Sequence, residues 1–411
     1  MPTDGSLLFL CHRIPYPPIK GDKIRAWHFL EHLASRFDVH LGCFIDDPAD
    51  WAHVPVLEKL CARVLCVPLD KRRQKLRSLL RLRPGRPLTL DYFGNRRLSD
   101  WAEETLAQQN VTRIFVFCSA MAEYVMHADT ARRVLDMVDI DSEKFAEYAK
   151  RTSWPMRGLW AREGRTLLAF ERRAAAAFDR TLLVTAAEAA RFACLSPETR
   201  NRVGFIENGV DLQHFSPEHA FPCPFSDRGP HLVFTGTMDY WPNSDAVGWF
   251  AREVLPLVRT ASPDVRFTIV GANPTPEVLA LKGEAVTVTG SVDDVRPYLA
   301  HCAASVAPLR IARGVQNKVL EAMAMGRIVV ASADAFEGVR ANPGRDLLVV
   351  DSARAMADAI LDVLAGRHSG MGAAARRAME IGYDWRRSLD ALDEAIGATS
   401  ACLTGPQEAL A

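Results

Sequence analysis

Short apolar runs alternate with stretches of helical periodicity along most of the chain. An apolar run of about four to six residues is typical of a buried strand, and apolar residues recurring every three or four positions are typical of a helix packed on one side. Repetition of strand and helix in this order predicts βαβ units with parallel strands. The fold class that we expect is therefore α/β.

Two series of predicted elements are separated by a proline-rich break at 215–230, which shows no sustained periodicity and is typical of an inter-domain linker. The strands predicted before it are 7–11, 39–44, 63–67, 113–118, 133–137, 181–185 and 203–206. The helix predicted after the first strand has an apolar face of Ile24, Trp27, Leu30, Leu33 and Phe37. The strands predicted after the break are 231–235, 265–270, 286–289, 305–308, 327–331 and 347–350, and the helices are 244–260, 293–301, 315–325 and 353–364. Two such halves place a ligand at the carboxyl ends of their strands.

Composition narrows the class of protein. The 411 residues suit two domains, and 50 Lys and Arg balance 50 Asp and Glu, so global charge gives no reason to expect nucleic acid as a partner. The nine cysteines are scattered and form no Cys-x-x-Cys pair, which favours a reducing compartment over a disulfide or zinc framework. The apolar run 7–11 is too short to span a membrane or to act as a signal peptide, so we expect a cytoplasmic protein.

The most informative segment is 308–326, where a strand is followed by a loop through Gly314 and then by a helix. Glycine lets the backbone approach a ligand closely, and the unpaired N–H groups at a helix start favour a phosphate. Lys318, with one or both of Arg310 and Arg313, would neutralise the remaining charge of a diphosphate.

Glu321 lies one turn beyond Asn317 on the same face of that helix. Its two carboxylate oxygens could accept hydrogen bonds from both hydroxyls of a ribose. An ordinary amphipathic helix with solvated charges would carry many of the same residues. It is the combination of loop, glycine, basic residues and carboxylate that favours nucleotide binding.

In these residues the chain resembles the nucleotide-binding signature of glycosyltransferase family 4, a family of retaining enzymes with the GT-B fold. It is similar in particular to the bacterial branch found in exopolysaccharide gene clusters with the PEP-CTERM/exosortase system. Supporting segments are 206–215, 234–243, 267–271 and 288–292.

The resemblance implies two Rossmann-like domains that face each other across a cleft. The acceptor domain would be 1–215 and the nucleotide-sugar domain 216–382. A helix at 383–398 would cross back onto the first domain, with a loose tail at 399–411. The packing face expected for that helix is Trp385, Leu389, Leu392 and Ile396.

The resemblance also implies a donor site in which Glu321 binds the ribose. Gly290, Ser291 and Val292 would line the nucleobase pocket, and residues 235–237 would lie beside the diphosphate. The donor-binding set expected is Gly21, Thr235, Gly236, Thr237, Gly271, Gly290, Ser291, Val292, Arg310, Arg313, Gly314, Val315, Asn317, Lys318 and Glu321. The catalytic candidates are Asp139, Lys318, Arg313 and Glu321.

One residue and one segment depart from the family pattern. Arg313 stands where the family often has a glutamate paired with Glu321, and 238–243 replaces a segment that often carries an Arg and a Lys. Our hypothesis is that Arg313 and Lys318 restore the charge lost there.

The loop 15–25 follows the first predicted strand and would reach the donor phosphates in the resembling fold. Gly21 would permit close approach, while Lys20, Asp22 and Arg25 could contact phosphate or acceptor hydroxyls. A proline-rich connector with incidental charges is the alternative interpretation.

Asp136, Asp139 and Asp141 follow another apolar run, where they could hold acceptor hydroxyls or supply a base. A solvated turn, or a helix capped by Asp141, is the alternative. In the resembling enzymes the departing phosphate oxygen is thought to take the acceptor proton, so that Asp139 would only position groups. Neither a metal ion nor a cofactor is expected, and we discount the Asp139-Ile-Asp141 tripeptide as a metal motif.

The basic run 71–86 interleaves its charges with Leu76, Leu79, Leu80 and Leu82. This pattern is typical of a helix that lies on an anionic membrane surface, where a lipid-linked acceptor would be found. A basic surface helix that packs its leucines on the domain is the alternative. Nucleic acid is disfavoured because the run has no interleaved aromatic residues.

The function predicted is transfer of a sugar from a UDP- or GDP-linked donor to a lipid-linked or oligosaccharide acceptor in exopolysaccharide biosynthesis. The protein would be cytoplasmic and peripheral on the inner face of the cell membrane. The alternatives are a sugar-nucleotide epimerase of the same fold and a non-catalytic nucleotide- or lipid-sensing module. An oxidoreductase is disfavoured because no Gly-x-Gly-x-x-Gly follows the first predicted strand.

Overall fold

The computed structural model describes residues 4–18, 21–312 and 314–398, without the side chains of Asp22 and Arg151. The described chain forms two compact units. One contains the residues up to Glu207 together with those from Arg386 on, and the other contains Asn208–Trp385. Each unit is an α/β layer structure with its own parallel sheet.

The division between the units falls after Glu207, whereas the proline-rich segment suggested residue 215. The segment that follows Glu207 already packs on the second unit. Val210 donates its N–H to the carbonyl of Tyr383 at 2.8 Å and forms an isolated bridge with Asp384. A Cβ added to Gly209 would lie 2.6 Å from Cγ of Trp385.

The first unit has a seven-stranded parallel sheet in the order β3-β2-β1-β4-β5-β6-β7. Its strands are β1 (Ser6–Cys11), β2 (Asp38–Ile45), β3 (Arg63–Pro68), β4 (Val111–Phe117), β5 (Arg132–Val138), β6 (Arg180–Leu183) and β7 (Val203–Phe205). Its helices in the first half of the chain are α1 (Gly21–Ala34), α2 (Val54–Leu60), α3 (Lys71–Leu80), α4 (Leu88–Phe93), α5 (Arg96–Gln108), α6 (Asp141–Arg151), α7 (Met156–Ala177) and α8 (Ala186–Leu195). The strand order reverses between β1 and β4, which is where ligands bind in open parallel sheets.

The second unit has a six-stranded parallel sheet in the order β10-β9-β8-β11-β12-β13. Its strands are β8 (His231–Thr235), β9 (Arg266–Val270), β10 (Val286–Val288), β11 (Ala304–Ala307), β12 (Val329–Ala331) and β13 (Leu348–Val349). Its helices are α9 (Trp241–Trp249), α10 (Leu255–Ala261), α11 (Pro276–Leu279), α12 (Arg296–His301), α13 (Asn317–Ala324), α14 (Ala333–Phe336), α15 (Ala353–Leu364) and α16 (Met371–Gly382). The order reverses between β8 and β11.

The strands of both sheets are buried on both faces, as parallel strands covered by helices must be. Leu8, Leu10, Ile114 and Val116 are fully buried in the first unit. The equivalent residues of the second unit include Phe234, Ile269 and Leu320, the last contributed by α13. Burial on both faces explains why the strands appear in the sequence as continuous apolar runs.

The last helix, α17 (Trp385–Ile396), belongs to the first unit from Arg386 on. Asp393 accepts from Nε2 of His32 at 2.9 Å and from Nη1 of Arg36 at 2.5 Å. Two residues of the predicted packing face, Leu392 and Ile396, are fully buried. Leu389 is only partly buried, and Trp385 packs on the second unit. The predicted tail at 399–411 lies outside the described residues.

The α/β class and the two Rossmann-like sheets are confirmed, and each predicted strand corresponds to an observed one. The helix predicted at 244–260 is α9 and α10 joined by a π-helical turn at Phe250–Val254. The helix predicted at 315–325 begins two residues later, at Asn317. None of the described helices is long and apolar enough to cross a membrane.

Candidate functional site

Three glycine-containing loops meet at the carboxyl ends of β8, β9 and β10. The N–H of Gly236 donates to the carbonyl of Val270 at 3.0 Å, and the N–H of Gly271 donates to the carbonyl of Gly290 at 3.2 Å. A Cβ added to Gly271 would lie 1.7 Å from the carbonyl oxygen of Gly236, so only glycine fits there. The predicted glycines are therefore brought together, and their backbones form one wall of a site.

Gly290 has a φ of +76°, in the left-handed region that favours glycine, and no atom lies within 4 Å of the position its Cβ would occupy. Ser291 is exposed and Val292 is partly buried. This edge of the site therefore offers mainly backbone groups and open space, the chemistry predicted for a nucleobase pocket.

A second wall is the start of α13, which begins at Asn317 after the loop that follows β11. The capping residue, Gln316, does not cap the helix with its side chain and instead donates to the carbonyl of Gly314 at 3.1 Å. Gly314 is partly buried with a φ of +65°. Arg313 lies outside the described residues, so its predicted role stays a prediction.

Lys318 joins the two walls. Its Nζ lies 2.5 Å from Oδ1 of Asn243 and 4.6 Å from the ring centroid of Phe234. A Cβ added to Gly236 would lie 3.4 Å from the same Nζ, so the ammonium group is beside the β8 loop. Burial lowers the pKa of Lys318 to about 7, and the nearby charge of Glu321 opposes that shift. An anion in the site would favour the protonated form.

Asn243 is the residue of this site that sequence reasoning missed. It is buried in the first turn of α9, and its Nδ2 donates to the carbonyl of Thr237 at 2.9 Å while its Oδ1 accepts from Lys318. It thereby fixes Lys318 against the β8 loop. The available signal was its place in 238–243, the segment that departs from the family pattern.

Each wall contains a polar atom that lacks a partner. In the part of the chain that the structure describes, Oδ1 of Asn317 and Oγ1 of Thr235 are buried without a hydrogen bond. An unsatisfied buried polar group costs about 1–3 kcal/mol, which a ligand can recover.

Glu321 is partly buried one turn after Asn317, and it has no ion pair or hydrogen bond with its carboxylate among the described residues. Burial raises its pKa to about 7, which the charge of Lys318 opposes. Both Glu321 and Asn317 thus present oxygen atoms suited to accept hydrogen bonds from hydroxyl groups.

Arg310 makes a two-point ion pair with Asp245 of α9, with contacts of 2.9 Å and 2.5 Å. Its charge is therefore compensated inside the protein. The prediction that Arg310 neutralises a diphosphate finds no support in this arrangement.

Val315 and Thr237 are partly buried beside the walls.

In the first unit, the predicted ligand contacts of Arg25 and Asp136 are wrong. Both side chains are fully buried, and they pair with each other at 2.7 and 3.1 Å. Arg25 also donates to the carbonyl of Ile206 at 2.6 Å. Burial raises the pKa of Asp136, and the guanidinium opposes the shift. This buried pair connects α1, β5 and the end of β7 and is structural.

Asp139 and Asp141 share one cation. Nζ of Lys144 lies 2.8 Å from Asp139 and 3.1 Å from Asp141, and these carboxylates raise its pKa well above the usual value. Asp141 is the first residue of α6, not its cap, and its charge favours the helix start. Asp139 stays partly exposed, so its predicted role near the acceptor stays a prediction.

Gly21 is the exposed first residue of α1. Lys20 and the side chain of Asp22 lie outside the described residues. Their predicted contacts with phosphate or acceptor therefore stay predictions. Across the described residues, no group of three or more His, Cys, Asp or Glu side chains is placed to hold a metal ion.

The basic run 71–86 forms α3 and the loop after it. The residues buried on α3 are the polar Gln74 and Ser78, whereas Leu76 is 60% exposed and Leu80 is 80% exposed. The alternative in which the leucines pack on the domain is therefore wrong.

Comparison with known proteins adds two kinds of result. Residues 229–366 match the family described as "Glycosyl transferases group 1". A search of curated proteins finds no match.

Solved structures share the fold over nearly the whole chain. A sucrose-phosphate synthase from Thermosynechococcus elongatus has 16% identity and a TM-score of 0.65, over 95% of this chain and 98% of that one. Anabaena HepE in complex with UDP-glucose has 14% identity and a TM-score of 0.67, over 96% and 99%. WaaG, described as a glycosyltransferase involved in lipopolysaccharide biosynthesis, has 15% identity and a TM-score of 0.66, over 95% and 100%. The family match lies on the unit that carries Lys318 and Glu321. The chain therefore has the GT-B fold of these structures, and its second unit carries a segment that matches the glycosyl transferases group 1 family.

Proposed function

We propose that the second unit binds a nucleotide-sugar donor, with a UDP or GDP moiety, at the loops after β8–β11 and the start of α13. The observation that carries the proposal is the pair of unpartnered acceptors on α13, Asn317 and Glu321, one turn apart. A ribose offers two hydroxyl donors, which match such acceptors. The complex of HepE with UDP-glucose, in the same fold, supports this choice of ligand class.

The diphosphate of the donor would lie against the start of α13 and the Gly236 loop. Lys318 is beside that loop, and unpaired N–H groups at a helix start favour anions. When the sugar leaves, negative charge grows on the diphosphate. A preorganised cation and helix terminus stabilise that charge more than they stabilise the intact donor, which lowers the barrier.

By resemblance to glycosyltransferase family 4, we propose transfer with retention of configuration. The departing phosphate oxygen would take the proton of the acceptor hydroxyl, and Asp139 would position that hydroxyl. Arg313 would add positive charge near the diphosphate. In this scheme the basic side chains and the helix start stabilise the leaving group without a metal ion.

For the acceptor we propose a lipid-linked glycan of exopolysaccharide biosynthesis, reached at the inner face of the cell membrane. The resemblance to the PEP-CTERM/exosortase-associated branch supports this acceptor class. The exposed leucines of α3, interleaved with basic residues, support contact with an anionic bilayer.

The first test is a thermal-shift screen with UDP, GDP, ADP and their sugars, since a ligand that binds only the folded state raises the unfolding temperature. Glu321→Gln should weaken the binding of the nucleotide found in this way by about 10- to 100-fold, because hydrogen bonds to a charged group contribute about 1.5–3 kcal/mol. Isothermal titration measures the change.

Glu337→Gln, an exposed glutamate of the same unit, is the matched control and should bind like the wild type. Equal affinity of the Glu321→Gln variant and the control would contradict the proposed ribose contact. Sugar transfer, measured as release of the nucleoside diphosphate that depends on acceptor, separates a transferase from an epimerase and from a binding module.

A further inference from the structure

The first unit holds a second candidate site, a cleft of about 650 Å³ beside α3. It is lined by Arg73, Arg77 and Arg81, together with Gln74 and the helix-capping Asp70. The cleft begins after β3, the edge strand of the sheet, and so lies in a different unit from Lys318 and Glu321. None of the contacts described above for nucleotide binding involves it.

Arg73 and Arg77 are four residues apart on one side of α3, about 6 Å apart along its axis, and Arg81, the C-cap of the helix, follows at the same spacing. Like charges at this spacing repel, so the arrangement costs stability unless an anion occupies the cleft. Among the described residues, none of the three takes part in an ion pair. Nη1 of Arg77 donates one hydrogen bond, to the carbonyl of Gly94 at 3.4 Å, and its other N–H groups have no ion-pair partner in the described part of the chain.

Asp70 is the one carboxylate among the described residues that line the cleft, and it forms no ion pair with the three arginines. Its Oδ1 accepts from the backbone N–H groups of Arg72 and Arg73, each at 3.0 Å. The carboxylate is therefore used as the cap of α3. The guanidinium groups remain available, and arginine is the side chain best matched to phosphate geometry.

Gln74 supplies an independent sign of a ligand. The residue as a whole is 91% buried, lines the same cleft, and has an Oε1 atom without a hydrogen-bond partner among the described residues. A buried amide oxygen in such a place accepts from a hydroxyl donor. The lining thus combines cations for a phosphate with an acceptor for a neighbouring hydroxyl.

The leucines of α3 indicate the source of that phosphate. Leu76 and Leu80 lie three residues after Arg73 and Arg77 and are 60% and 80% exposed. The arginine row therefore lies between the buried polar side of the helix and an exposed apolar side. In a helix on a bilayer, apolar side chains enter the acyl boundary while neighbouring arginines stay at the level of the headgroups.

We propose that this cleft binds the phosphate and hydroxyl groups of an anionic lipid headgroup, with Leu76, Leu79 and Leu80 in the bilayer surface. The inference deepens the membrane part of the proposed function and rests on it. The proposal places the membrane contact at a cleft with defined side-chain partners for the headgroup. Diffuse attraction between a basic surface and the bilayer would need no such cleft.

The test compares two triple variants of the full chain with the same loss of charge. Arg73→Gln/Arg77→Gln/Arg81→Gln removes the cleft lining, and Arg72→Gln/Lys75→Gln/Arg83→Gln removes exposed charges next to it. Co-sedimentation is measured with vesicles of phosphatidylethanolamine and phosphatidylglycerol, and with phosphatidylcholine vesicles as the neutral reference. Diffuse attraction depends on charge alone and would weaken both variants equally.

The cleft variant should lose at least about tenfold more affinity for the anionic vesicles than the control variant. Gln74→Met should reduce the preference for phosphatidylglycerol over phosphatidic acid, because the glycerol hydroxyls lose their acceptor. Leu79→Ser/Leu80→Ser should weaken vesicle binding. Soluble glycerol phosphate distinguishes the sources: it should compete only weakly, and strong competition would indicate a free phosphate ligand and overturn the lipid assignment.

Equal losses in the two triple variants would also overturn the headgroup site. Failure of the wild type to bind any vesicle would remove the membrane part of the proposed function, while thermal shifts with nucleotides would still report on the donor site. Normal nucleotide shifts in every variant show that the second unit is folded. Urea denaturation of each variant shows whether the first unit remains folded.

Discussion

The polar residues that the sequence predicted for a site differ between the two units in whether they have hydrogen-bond partners. In the second unit, Asn317, Thr235 and Glu321 lack partners among the described residues. In the first unit, the predicted site residues Arg25 and Asp136 are buried and paired with each other. At a cluster of such residues, a ligand can supply the missing hydrogen bonds, whereas a buried pair that is already satisfied stabilises the fold.

This difference predicts that substitutions in the two regions separate cleanly. Changes in the buried pair of the first unit should lower stability, whereas changes at α13 should lower donor binding and turnover with little effect on folding. The variants below test that separation, from the largest expected change in free energy to the smallest.

Arg25→Met should lower the free energy of unfolding by about 3–5 kcal/mol, because it leaves the buried Asp136 carboxylate without its counter-charge. Urea denaturation measures the change. Arg172→Met removes one member of an exposed pair with Glu198 and should change the free energy of unfolding far less, because solvent screens that pair. Arg25→Met/Asp136→Leu should recover much of the loss. A stable Arg25→Met variant with impaired acceptor use would instead restore Arg25 to the active site.

Lys318→Met should reduce turnover by about 100- to 1,000-fold, the effect of removing one preorganised group from developing charge. The unfolding temperature should fall little, because methionine fills similar volume beside Phe234. Steady-state kinetics with the donor found by thermal shift gives the number. Lys282→Met, an exposed lysine of the same unit, is the control and should retain full activity. Unchanged turnover in the Lys318→Met variant would remove Lys318 from the mechanism.

Donor affinity should be greatest near pH 7. Lys318 must be protonated to bind the diphosphate, and its free-state pKa is about 7, so affinity falls by up to about tenfold per pH unit above that value. Glu321 must be ionised to accept from both hydroxyls, and its pKa of about 7 makes affinity fall on the acid side. Titration calorimetry with a nucleotide sugar measures both limbs. Glu321→Gln should abolish the acid limb alone; an unchanged profile would break this assignment.

Asp139→Asn should have the smallest effect, a loss of up to about tenfold in kcat/KM for the acceptor, since one hydrogen bond to a charged group is weakened. Donor affinity should stay unchanged, because the role proposed for Asp139, which pairs with Lys144, is to position the acceptor hydroxyl and not to bind the donor. Asp129→Asn is the exposed control. A loss of donor affinity, or no change in acceptor kinetics, would count against the positioning role.

Much of the fold was predictable from the sequence because buried parallel strands leave a local signal. The run 231–235 is identical to β8, and 353–364 is identical to α15. The ends of the elements were less predictable. The helix α13 starts only at Asn317, after a loop in which the side chain of Gln316 donates to the carbonyl of Gly314. Such closure depends on local hydrogen bonds that periodicity does not report.

The candidate site was predictable where it is made of glycines and a helix start, and not where it depends on distant pairs. Asn243 holds Lys318 across 75 positions of the chain, and Arg25 meets Asp136 across 111. Neither partnership leaves a local pattern. The outward side of α3 was equally hidden, because its buried residues, Gln74 and Ser78, are polar.

The position of α17 has a consequence for synthesis on the ribosome. Its Asp393 contacts His32 and Arg36, so a helix made after the whole second unit packs on residues made before it. Nascent chains fold from the N-terminus as they emerge, but the first unit stays incomplete until the second unit and α17 have left the exit tunnel. The unit that begins folding first is the one that finishes last, and a chain released before α17 should be a substrate for chaperones and proteases.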